Sequence, residues 1–203
     1  MSDMIVLLEN RQNPDFVNGL TEENISALVA LLSEKNNDLR YAAFLCLQAR
    51  SQTHSDVYPY WECFFSKLHS DNSYQRSLGI MLLAENLLWD KERLFDSLLQ
   101  DILARCRDEK FITCRQTIQS LLKWVEHKPH LSAPIAAALL EIPVGDQPET
   151  QRKLILTDIV EVLLKIQALQ PQGAIAAYLS EASEGAILDV KGKKSLKQRM
   201  SAL

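Results

Sequence analysis

The sequence predicts an all-α fold of about four helical hairpins with further helices at its ends. Three observations carry that expectation. Apolar residues recur at intervals of three and four, as one face of a 3.6-residue helix requires. A polar turn, an arginine and an apolar run return four times at near-constant spacing. No segment alternates apolar and polar residues as a half-buried strand would. At 203 residues, 47% hydrophobic and 24% charged, the chain can bury a core as one domain or as a short repeat array.

The elements follow in order. The opening apolar run, Ile5 to Leu8, lies between Asp3 and Glu9 and has neither the length of a membrane span nor the flanks of a signal peptide, so a cytoplasmic protein is expected. In ENISALVALLSEK, residues Ile25, Leu28, Val29, Leu31 and Leu32 share a face, with Thr21 as cap and Glu22 and Glu23 in the first turn. Trp61, Phe64, Phe65 and Leu68 form a second stripe, read as core rather than as an aromatic binding box, after the crowded aromatics Tyr58 and Tyr60. ERLFDSLLQDILARC reads as a third helix with Leu94, Leu98, Ile102 and Cys106 inward. Before the last long helix, Asp146 is expected as N-cap, with Pro148 in the first turn and Glu149 three residues on. In GKKSLKQRMSAL, Ser195 could cap a short helix carrying Leu196, Met200 and Leu203, half of a fifth hairpin; a flexible basic arm is the alternative.

The four returning stretches are NNDLRYAAFLCL at 36–47, NSYQRSLGIMLL at 72–83, FITCRQTIQSLL at 111–122 and PETQRKLILTDI at 148–159. Their arginines, Arg40, Arg76, Arg115 and Arg152, are 36, 39 and 37 residues apart, and three places beyond each stands Ala43, Gly79, Ile118 or Ile155. The ends of the preceding helices, at Leu32, Leu68, Cys106 and Ile142, repeat at 36, 38 and 36. One hairpin per period of this size marks a solenoid, because a lone hairpin cannot bury its apolar face without neighbours.

Over roughly residues 20–170 this pattern resembles the HEAT-like (armadillo-type) repeat family, in which the turn commonly carries an Asp and the second helix an Arg about six residues later. Here Asp71, Asp108 and Asp146 precede Arg76, Arg115 and Arg152 by five, seven and six residues, while Asp38 lies only two before Arg40, so that Asn36 or Asn37 stands in for it. The resemblance implies a right-handed α-α superhelix, a single repeat domain over 1–188, and a basic cap or arm over 189–203. It also implies a non-catalytic scaffold that binds another protein on its extended surface. Gly79, at an inward position of its helix, is expected at a close helix approach.

Charge limits the partners. Residues 189–203 hold Lys191, Lys193, Lys194, Lys197 and Arg199 against Asp189 alone, a net +4 within a chain of −4, which leaves 1–188 at −8. An acidic body disfavours nucleic acid, whose binding draws on neutralised phosphates. The tail is too poor in apolar residues to anchor to a membrane.

The site candidates are few. Arg40, Arg76, Arg115 and Arg152, with Lys153, either hold turns together through hydrogen bonds or present a ladder of positive charge to an acidic protein partner. HEAT-like alkylpurine DNA glycosylases, which use an Asp and aromatic side chains in a basic groove, supply the alternative enzyme reading; the similarity here rests on Trp89 and Asp90 alone, and Asp90 reads first as the N-cap of the helix that follows. Cys46, Cys63, Cys106 and Cys114 match no zinc or redox spacing and read as core thiols. His127 and His130 straddle Pro129 in a connecting loop, so no metal is expected there. No phosphate loop or nucleophile elbow occurs, and no cofactor is expected.

Overall fold

The computed structural model describes residue 6, residues 9–11 and residues 13–203; Ile5, Leu7 and Leu8 of the opening apolar run lie outside the described residues. Among the described residues there are eleven α-helices, short 3-10 turns and no strand. The chain forms two compact units, Met1–Ser97 and Leu98–Leu203.

The first unit holds α1 (Pro14–Asn18), α2 (Glu22–Leu31), α3 (Asn37–Ser51), α4 (Trp61–Lys67) and α5 (Ser73–Asn86). Each long helix starts where a side chain can take a free first-turn amide. Thr21 and Asn24 form a reciprocal capping box on α2, Asn36 accepts from the amides of Asp38 and Leu39 to open α3, and Asn72 accepts from Tyr74 to open α5. The asparagines of the NND and SDNS turns are therefore the caps. Ile25, Leu28, Val29 and Leu32 are buried, and α2 packs on α3. Arg50 ties α1 to this hairpin: Nη1 donates to the carbonyls of Val17 at 3.0 Å and Asn18 at 2.8 Å, while Nη2 pairs with Asp56 at 2.7 Å.

The aromatic stripe of α4 is core in part. Phe64 and Leu68 are fully buried, whereas Trp61 and Phe65 are half-buried. Tyr58 and Trp61 close over Phe95, with ring centroids 5.5 and 6.0 Å away. Phe95 corrects the stripe expected from ERLFDSLLQDILARC. Residues Leu94–Leu98 form a 3-10 turn and only Leu99–Ala104 is α-helical, so the tighter winding turns Leu94 outward and Phe95 inward.

The second unit holds α6 (Leu99–Ala104), α7 (Phe111–His127), α8 (Ser132–Leu140), α9 (Glu149–Leu169), α10 (Gly173–Glu184) and α11 (Val190–Met200). Its core includes Ile118, Leu121 and Trp124 of α7 and Ile155, Ile159 and Leu163 of α9, two helices that pack along each other. Asp146 is not the cap of α9. It ends a 3-10 turn, Val144–Asp146, and Pro148 occupies the cap position without a side-chain cap bond, its carbonyl accepting from the amides of Gln151 at 2.8 Å and Arg152 at 3.2 Å. Nor does Ser195 cap the tail: Asp189 does, accepting from the amide of Gly192 at 2.8 Å, and Ser195 lies inside α11. Leu196 is buried, Leu203 is exposed, and α11 packs on α10. Lys197 with Glu184 at 2.6 Å and Arg199 with Glu161 add exposed ion pairs, each worth little in water.

Gly79 sits where α4 meets α5. A Cβ placed there would stand 2.4 Å from the Phe64 carbonyl oxygen and 3.0 Å from side-chain atoms of Leu68 and Lys67. Backbone cannot swing aside as a side chain can, so the two helices must separate. Gly79→Ala is therefore expected to destabilise by about 1–3 kcal/mol, overriding the roughly 1 kcal/mol that alanine gains in an exposed helix. Urea unfolding midpoints for parent and variant check it; an unchanged or higher midpoint would mean that the helices are not in contact.

Candidate functional site

In the first unit, two of the arginines close the turns that precede them. Arg40, in the first turn of α3, donates from Nη1 to the Glu34 carbonyl at 2.8 Å and from Nη2 to Asn37 Oδ1 at 2.5 Å, and its guanidinium lies 4.4 Å from the centre of the Tyr74 ring. Arg76 does the same one hairpin later, donating from Nη1 to the carbonyls of Ser70 at 2.9 Å and Asp71 at 3.1 Å. Both are buried. The carbonyls they engage follow the last turn of a helix, where backbone acceptors lack intrahelical partners.

In the second unit, Arg152 repeats the device by donating from Nε to the Gln147 carbonyl at 2.8 Å. Arg115 does something else. It makes a two-point contact with Asp158 of α9, Nε to Oδ2 at 2.6 Å and Nη2 to Oδ1 at 3.1 Å, and Gln119 adds a third bond to the same carboxylate at 2.9 Å. Lys153 is exposed and pairs with Asp189 at 2.5 Å.

The feature that sequence reasoning missed lies in the first unit, along the turn edge of α2–α3 and α4–α5. An open groove of about 420 Å3 runs there, and Arg40 and Lys67 both line it. Lys67 is 7% exposed. Its ammonium donates to Ser33 Oγ at 3.2 Å and to Gln75 Oε1 at 2.6 Å, while Gln75 Nε2 donates to the Leu32 carbonyl at 2.8 Å. This chain of bonds joins the end of α2 to the second hairpin. Among the described residues, no carboxylate lies within ion-pair reach of either Arg40 or Lys67. Burial lowers the Lys67 pKa, the Cys63 thiol opposes that, and the neighbouring Arg40 charge adds to it. The signal was present in the sequence: Lys67 falls three residues after the buried Phe64, on the inward face of α4.

Trp89 and Asp90 fall at the end of the first unit. Asp90 is 3% exposed and holds the turn after α5: Oδ1 accepts from the Leu94 amide at 2.8 Å and from the Tyr58 hydroxyl at 2.9 Å, and Oδ2 from the Phe95 amide at 3.0 Å. Burial first, then the bond to Asp90, push the Tyr58 hydroxyl up to about 12. Within this turn Arg93 takes a left-handed conformation, φ 62°, which costs a non-glycine residue about 1–2 kcal/mol and is sustained by the amides bound to Asp90. Trp89 is half-buried, and its indole donates to the Ser51 carbonyl at 2.6 Å.

The second unit has an apolar cavity of about 240 Å3 between Leu156, Tyr178, Ala182 and Ile187. His127 ends α7 and His130 lies in the 3-10 turn after Pro129. Among the described residues, no three His, Cys, Asp or Glu side chains gather as a metal site would require, and no helix is long and apolar enough to cross a membrane. Comparison with family models gives no match, and no curated protein matches the chain in sequence.

Two predictions follow from these side chains. Asp90→Ala should cost about 3 kcal/mol of unfolding free energy, because it strands two amides and a hydroxyl. A denaturant melt decides it, and unchanged stability would return Asp90 to the pool of candidate catalytic groups. The cysteines give a pH dependence. Burial raises the thiols of Cys46 and Cys114 from 9.0 to about 11, and that of Cys106 to about 12. A folded pKa above the unfolded value stabilises fully below pH 9 and is lost as pH rises through 9 to 11 or 12, at up to about 1.4 kcal/mol per pH unit for each thiol. The lowered pKa of Lys67 works in the opposite sense, but the raised hydroxyls of Tyr58 and Tyr178 add to the three thiols. Melting temperature should thus fall above pH 9, and Cys106→Ala should shrink the fall; a flat profile overturns the assignment.

Proposed function

We propose that the chain is a non-catalytic scaffold that binds an acidic segment of another protein, with its hairpins stacked as a HEAT-like superhelical solenoid. The recurrence of the turn arginines, the buried positions Leu32, Leu68, Cys106 and Ile142, and the inward residues three places beyond each arginine support the repeat reading.

A single observation carries the binding reading. Arg40 and Lys67 are buried cations that share one open groove and hydrogen-bond to neutral acceptors, in a chain whose net charge is −4. Burying a cation without a counterion is costly, and a stack that keeps two of them beside one opening leaves room for an anion to supply the missing charge. Arg40 is the member of the arginine series in that groove. Arg40 also holds a turn carbonyl but lines the groove, whereas Arg76, Arg115 and Arg152 do not line it and hold turn carbonyls or Asp158, so we assign those three to stability. Lys153 is given no binding role, because Asp189 already neutralises it.

The glycosylase reading is disfavoured by the state of Asp90. A carboxylate that accepts two backbone amides and a hydroxyl in a nearly closed site has little left for a substrate.

The test is a titration of a fluorescently labelled glutamate-rich peptide at low ionic strength, followed by anisotropy. Lys67→Gln should weaken binding about tenfold, equivalent to about 1.4 kcal/mol, while a far-ultraviolet spectrum verifies the fold. Equal binding by parent and variant would remove the groove from the function.

A further inference from the structure

The donor inventory of the groove is more specific than its charge. Lys67 has three N–H donors and two protein acceptors, Ser33 Oγ and Gln75 Oε1, so one donor remains unmatched. Ser33 accepts from Lys67, which leaves its hydroxyl hydrogen without an acceptor among the described residues. Ser70 accepts from the Asn72 amide through Oγ and likewise keeps its hydrogen. Asn72 uses Oδ1 to cap α5, accepting from Tyr74, and that orients its NH2 group as a spare donor. Lys35, exposed, adds a third cation at the rim, and the one carboxylate in the lining is Glu34. The lining is rich in donors and poor in acceptors.

A carboxylate would answer one of these cations through two oxygens. A phosphate monoester carries close to two negative charges near neutral pH and three acceptor oxygens, which matches two buried cations and several unmatched donors. Asn72 also marks the start of α5, a helix of 14 residues whose positive end adds to the field at the groove. A polynucleotide fits less well, because an acidic body opposes a run of phosphates beyond the one engaged.

We propose that the groove lined by Arg40, Lys67, Ser70 and Asn72 is a phosphate-binding site, and that its occupant is a phosphorylated serine or threonine side chain of the partner protein. This rests on the acidic-partner reading above and narrows it to one chemistry. Lys67 and Lys35 supply charge, while the hydroxyls of Ser33 and Ser70 and the Asn72 amide fix orientation. Glu34, the one carboxylate in the lining, opposes any anion, so the preference for phosphate comes from the cations and donors around it.

Calorimetric titration of the full chain tests this with four probes: a serine peptide, the same peptide phosphorylated, the same peptide with glutamate in place of the serine, and inorganic phosphate. The phosphorylated peptide should bind about tenfold more tightly than the glutamate peptide, the plain peptide should give no heat, and inorganic phosphate should compete. Lys67→Gln should abolish the preference for phosphate. Lys35→Gln, at an exposed position where folding is not at risk, should weaken phosphopeptide binding several-fold, so a misfolded Lys67 variant would not leave the matter open. Equal binding of the glutamate and phosphorylated peptides overturns the phosphate assignment while leaving the acidic-partner reading in place. Failure of every peptide overturns both. Binding of inorganic phosphate without the phosphopeptide overturns the assignment to a partner side chain, and binding insensitive to both lysine variants overturns the site.

Discussion

The groove depends on a contact that has no side chain in it. At Gly79 the backbone of α5 comes so near the Phe64 carbonyl that a methyl group would not fit. Leu68 and the Cβ of Lys67 border the same spot, so the last turn of α4 is held against α5 with its lysine stem fixed. From there the ammonium reaches Ser33 and Gln75, and Gln75 in turn reaches the Leu32 carbonyl. Take away the close approach and the polar link between the end of α2 and the second hairpin loses its anchor, and with it the geometry that leaves donors facing the opening.

Charge in this protein divides by burial and by partner. Exposed pairs such as Lys197 with Glu184 and Lys153 with Asp189 contribute little, because water and salt screen them. Arg50 with Asp56 and Arg115 with Asp158 are less exposed and doubly hydrogen-bonded, and each ties separate segments of one unit. Arg40 and Lys67 belong to neither class. They are buried like structural ions yet meet only neutral oxygens from the protein, an arrangement whose desolvation cost is not offset by a counterion. Functional sites are where such uncompensated groups concentrate.

Asp90 illustrates how one residue type supports two opposed readings until its neighbours are known. Beside a tryptophan and before a helical pattern, it can be read as a cap or as part of a repair site. Its bonds to the Leu94 and Phe95 amides and the Tyr58 hydroxyl are those of a group that holds a turn, and the left-handed Arg93 lies within that turn.

Helical class and the inward positions were legible because they are local properties: a 3.6-residue rhythm and a turn vocabulary need no knowledge of distant segments. Thr21 as a cap, Leu32, Leu68, Cys106 and Ile142 as buried helix ends, and the tight packing at Gly79 all follow from such rules. The rules fell short where winding changed. A 3-10 turn at Leu94–Leu98 exchanged Leu94 for Phe95 in the core, and Asp189 rather than Ser195 opened the last helix. What only the tertiary structure decided is which polar groups find partners. Lys67 and Ser33 are 34 residues apart and Gln75 lies 43 from Leu32, so whether an ammonium meets a carboxylate, a hydroxyl or an open groove depends on how two hairpins come together, a fact that no local period encodes.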